Sequence, residues 1–124
     1  MVTKEEIKIP AHLCGTWVRV ETAEKPADAW LKTIIVSPEH ISRGDTKSEI
    51  VGYKPGNENN TYDLEIPIEY TDHYDRKRGY VISRHSDSEY IEISYYYEYL
   101  NYAQGHEPWN QYESSYLGMF RKVR

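Results

Sequence analysis

Five histidines, His12, His40, His73, His85 and His106, are the side chains of this sequence best suited to metal ligation or proton transfer. None stands two or four residues from another, the spacings that bring two imidazoles to one side of a strand or helix, so no metal site is expected. His73 with Asp75, and His85 with Asp87 and Glu89, fall in stretches that read as hairpin turns and are assigned to solvated loops. No Gly-x-Ser-x-Gly elbow is present, and Cys14 adjoins Gly15 at the head of a strand, so nucleophilic catalysis has no motif to rest on. No cofactor is expected, and an enzyme is the less favoured reading.

The elements that must carry any site are strands. Residues 16–20, 33–37, 40–43, 48–53, 62–70, 80–84, 90–99 and 115–123 are β-branched or aromatic, or alternate in polarity, and are separated by turn residues. About eight strands with short connections predict an all-β, antiparallel up-and-down barrel or sandwich, and no long stretch shows the 3.6-residue period of a helix. Short helical turns are expected at 4–9, where Thr3 and Glu6 have capping-box spacing, and at 27–31. Arg76, Lys77 and Arg78, bounded by Asp72, Asp75 and Gly79, read as a solvated hairpin turn, and 86–88 as a tight connection. Pro67 cannot donate a ladder hydrogen bond, so its strand should bulge there or turn that position away from a neighbour.

These strands have tyrosine in surplus, with 13 Tyr against 3 Trp and 1 Phe. If Ile91 and Ile93 point inward, period two sends Tyr95 and Tyr97 inward as well, and Leu64 and Ile66 bring Tyr62 and Tyr70. Two readings follow. In one, the rings fill the barrel and their hydroxyls sit near its mouth. In the other, Tyr53, Tyr70, Tyr95 and Tyr97 line a pocket for a small apolar or aromatic ligand, with Arg43 or Arg84 anchoring an anion. Residues 104–112 are long for a hairpin loop and either fold over the mouth as a lid or pack Trp109 beneath the loop, while an exposed Trp109 would point to a surface for a partner.

The run Leu13-Cys14-Gly15-Thr16-Trp17 resembles the Gly-x-Trp signature that opens the first strand of lipocalins, fatty-acid-binding proteins and other calycins. The resemblance implies a lipocalin-like barrel in which Trp17 plugs one end and a basic residue of the final strand, Arg121 or Lys122, lies across its ring. It also implies a small-molecule-binding role and admits a calycin-type enzyme acting on a carboxylated aromatic.

Composition bounds the rest. A chain of 124 residues suits one domain, 1–124, and 39% hydrophobic residues suffice for a core. The formal charge of -5 argues against a nucleic-acid partner. One cysteine excludes an intramolecular disulfide and is compatible with a reducing, cytoplasmic location, while no apolar stretch is long enough to span a bilayer. The main alternative to ligand binding is a protein-interaction module docking through an acidic, Tyr-rich outer face that includes Glu92, Tyr96 and Glu98.

Overall fold

Successive side chains of an extended chain point to opposite faces, so alternating polarity commits a segment to a sheet with one dry side. The computed structural model describes residues 9–20, 32–55, 60–84 and 89–123. A 3-10 turn, Ala11–Leu13, leads into β1 (Gly15–Arg19), followed by β2 (Thr33–Val36), β3 (His40–Arg43), β4 (Thr46–Glu49) and β5 (Gly52–Pro55). Four longer strands complete the chain: β6 (Thr61–Tyr70), β7 (Tyr74–Arg84), β8 (Tyr90–Tyr102) and β9 (Tyr112–Lys122). The helical turn expected at 4–9, apart from Ile9, the turn at 27–31 and the connection at 86–88 lie outside the described residues.

All pairings are antiparallel, in one curled, barrel-like sheet of order β4-β3-β2-β1-β9-β8-β7-β6-β5. Among the described residues nine strands are found, where about eight are expected from the pattern. The expected strand at 48–53 is divided at Ile50 and Val51: β4 pairs with β3, whereas β5 pairs with β6 at the opposite edge of the sheet. Ile50 N–H donates to Glu39 O (2.8 Å) and Val51 N–H to Glu65 O (2.9 Å), so neighbouring amides hold both edges. The concave side carries the core, where Ile34, Leu64, Ile82, Ile91, Ile93 and Phe120 are fully buried against Trp17.

The basic cluster at 76–78 is not a turn. It lies within β7, and the reversal occurs at 71–73, where the Thr71 hydroxyl accepts the N–H groups of His73 and Tyr74. Carboxylates on β6 explain the difference, since Glu65 and Glu69 meet Lys77 (2.8 Å) and Arg76 (2.6 Å) across the ladder and let these cations lie on strands. The register of β6 against β7 shifts between Ile66 and Glu69, placing an extra residue in β6 at Pro67, which has no N–H to contribute. Among the described residues, no helix is long and apolar enough to cross a membrane.

Candidate functional site

The concave side has two ends of different character. At the first, Trp17 is 2% exposed, its indole N–H donating to Leu13 O at 2.9 Å. Lys122, the cross-strand partner of Trp17, sets its ammonium 5.5 Å from the ring centroid and donates to His12 O at 3.2 Å. Arg121 is one residue away and therefore on the other face, exposed, between Val18 and Tyr90 in the register. Of the two basic residues that the resemblance offered, Lys122 thus covers the indole. The His12 ring meets Tyr62 edge-on at 5.7 Å, and Tyr62 stacks on Tyr53 at 6.2 Å. Burial holds the His12 imidazole below its ordinary pKa, and the charges of Arg84 and Lys122 add to the effect.

The second end is wetter. Along β8 the inward positions run Ile91, Ile93, Tyr95, Tyr97 and Tyr99, and burial changes from complete at the isoleucines to partial at the tyrosines. Along β7 the matching inward positions pass from Ile82 and Tyr80 to half-buried Arg78 and Arg76. Arg43 reaches in from β3, its guanidinium carbon 5.2 Å from the Tyr95 centroid and 5.7 Å from that of Tyr80. Arg76 lies 4.5 Å from the Tyr97 centroid and 5.6 Å from that of Tyr74. Tyr80 and Tyr95 meet edge-to-face at 5.4 Å, as do Tyr97 and Tyr99. The result is a row of rings, Tyr80, Tyr95 and Tyr97, with a guanidinium over each end.

Electrostatics keep Tyr80 and Tyr97 neutral and Arg76 charged. Burial raises the Tyr80 phenol above its usual pKa, and Arg43 pulls the other way. The Tyr97 hydroxyl donates to the Glu113 carboxylate, which together with burial pushes its pKa up to about 12. Both phenols are therefore protonated donors at neutral pH. Burial opposes the charge on Arg76, but Glu69, Tyr95 and Tyr74 together more than offset it. Arg78 is spent on structure, donating from Nε and Nη2 to Pro67 O at 3.2 and 3.0 Å. Arg76 Nε is buried without a hydrogen-bond partner, which leaves a charged donor that an acceptor on a bound molecule could satisfy. Among the described residues, no group of three His, Cys, Asp or Glu side chains could hold a metal ion.

The structure gathers Arg43, Tyr95 and Tyr97 into this row and places the other expected pocket residues elsewhere. Tyr53 stands beside Tyr62 toward the His12 end. Arg84, opposite Ile91, lies at that end too. Tyr70 follows the β6 bulge and is 72% exposed, because the extra residue breaks the alternation counted from Leu64. Arg76 and Tyr80 were not among the expected site residues. Counting back by twos from Ile82 through Tyr80 and Arg78 reaches Arg76, so the signal was present but masked by the turn-like Asp72, Asp75 and Gly79. Tyr96, assigned to the outer docking face, is only 6% exposed: it crosses Gly79 to donate to Asp63 (2.7 Å) and stacks on Tyr112. No family model, curated protein or solved structure matches the chain.

Proposed function

We propose that the wet end of the concave face binds a small apolar or aromatic molecule carrying an anionic group. The observation that carries this reading is the row of buried Tyr80 and half-buried Tyr95 and Tyr97, with Arg43 and Arg76 over its two ends. Flat rings offer a stacking surface, phenol hydroxyls orient a polar edge, and a guanidinium pairs with a carboxylate or phosphate through two parallel donors. We read the sheet as a calycin-type barrel on the strength of Trp17, at the head of the first strand beneath the terminal Lys122. A cytoplasmic setting suits the free thiol of Cys14.

Native mass spectrometry of the protein purified from its own cells tests the reading. The expected result is a co-purifying small mass that is lost from Arg76→Met and Tyr95→Ala. A spectrum of bare chain alone, or a small mass retained by both variants, overturns it. A second reading is favoured by Trp109, which is 95% exposed on the β8–β9 loop and suits contact with another protein. In that case the same spectrum shows a second chain, lost on Trp109→Ser.

A further inference from the structure

A strand with a neighbour on only one side presents backbone donors and acceptors that another strand can take up, and folded proteins blunt such edges with lysine, proline, a bulge or short length. Most edges of this sheet are guarded in that way. β4 is four residues long and carries Lys47 and Glu49, β5 carries Lys54 and ends at Pro55, and the part of β6 that outruns β5 holds the bulge at Pro67. The first half of β9 is different. β1 pairs with β9 only at residues 120–122, and the Val20 N–H adds Met119 O at 2.8 Å, so among the described residues 112–118 have β8 on one side and no strand on the other. No proline, lysine or arginine occurs in that stretch. The register of β8 against β9 shifts between Ile93 and Ser94, which places the extra residue at Leu117 and leaves 112–116 as the regular part of the edge.

The side chains of this edge suit a copy of itself. Tyr112 stacks on Tyr96 and the Tyr116 hydroxyl donates to Glu92, which puts both rings on the convex face with Ser114, while Glu113 accepts from Tyr97 on the concave one. Both rings are open to solvent, Tyr112 55% and Tyr116 63% exposed. Two identical antiparallel strands overlap over the whole of 112–116 only when Ser114 lies on a two-fold axis. That register sets Tyr112 opposite the partner's Tyr116 and Glu113 opposite the partner's Ser115. Aromatic pairs across a ladder are favourable and like charges directly opposite are not; Glu113 is the sole charged residue of 112–116, so no like charges meet. We propose that two copies of this chain join by antiparallel pairing of β9 with β9 at 112–116, extending the sheet across a two-fold axis. The order Tyr-Glu-Ser-Ser-Tyr, with a ring at each end and serine on the axis, favours a second copy over an unrelated strand. The pairing stands apart from the ligand reading, which concerns the concave row.

Sedimentation equilibrium of the full chain across a wide range of loading concentrations tests the pairing. A monomer–dimer equilibrium is expected. Its dissociation constant should rise about fivefold or more in Ser114→Lys, which sets two ammonium groups against each other on the axis, and about as much in Tyr116→Ser, which removes two ring pairs per dimer. Both positions are exposed, so both variants should keep the wild-type circular dichroism spectrum. In a Cys14→Ser background, Ser114→Cys should be joined into dimers by a short bismaleimide, and Lys47→Cys, on the guarded β4 edge, should not. Arg76→Met, which disables the concave row, should leave the dimer unchanged, so the two proposals can fail separately. A chain that stays monomeric, whether its β9 edge is bare, taken by residues 21–31 or taken by another protein, overturns the proposal. So does a dimer whose dissociation constant is the same in Ser114→Lys and Tyr116→Ser as in the wild type.

Discussion

At the residue scale, adjacent positions of one strand have opposite destinies. Lys122 covers the Trp17 indole while Arg121 is exposed on the opposite face, and only their parity separates them. The Gly-x-Trp run marks the buried indole in the sequence, but a register offset of one residue in the final strand decides which cation meets it. Lys122→Met should therefore cost about 1 kcal/mol in urea unfolding, the loss of a cation from an aromatic face, whereas Arg121→Met should be close to neutral. His12 contributes in its neutral form. Its folded-state pKa lies below 6.5 because burial, then Arg84 and Lys122, disfavour the imidazolium. Its contribution to stability is fully present above 6.5 and is lost as pH falls through the lower folded value, since the unfolded chain takes up the proton first. Urea midpoints of His12→Gln, compared with the wild type across that window, should show a shallower acid-side decline.

At the element scale, alternation gave most of the strands but not their irregularities. The pairs of β-branched residues in β2 and the run from Tyr62 to Ile66 are read correctly because each extended residue has a defined face. Beyond Ile66 the count fails, since the bulge at Pro67 inserts a residue and carries Tyr70 out of the concave face. Arg76, Lys77 and Arg78 deceive for another reason. Their neighbours Asp72 and Gly79 are turn residues in a window, yet Glu65 and Glu69 on the facing strand supply counter-charges that a window cannot see. Gly79 has a purpose that only pairing reveals: the Tyr96 ring crosses it, and a β-carbon there would fall 2.6 Å from the Tyr96 hydroxyl and 2.8 Å from Leu64 O. Gly79→Ala should consequently destabilise the sheet by about 1–3 kcal/mol, as overpacking does, and release Tyr96 from Asp63. Chemical denaturation checks the first effect, and an upfield move of the Asp63–Tyr96 hydroxyl proton resonance the second.

At the scale of the whole molecule, the sheet's curl turns separate strand faces into one interior with a dry end and a wet end. The dry end is closed by Ile82 of β7 and Ile91 and Ile93 of β8, all fully buried, and the wet end begins where tyrosine and arginine take the inward positions. That gradient is legible along β8 in the sequence. Its complement on β3 is not, because Arg43 reaches Tyr80 and Tyr95 only after the sheet bends back on itself. The central claim is that this wet end receives an anionic aromatic ligand, and its most direct test is the aromatic 13C–1H spectrum of tyrosine-labelled protein titrated with 2-naphthoate. Shifts concentrated on Tyr80, Tyr95 and Tyr97 and abolished by Arg76→Met are expected, and unmoved resonances at those three, whatever happens at Tyr90 or near Trp109, would rule the ligand out.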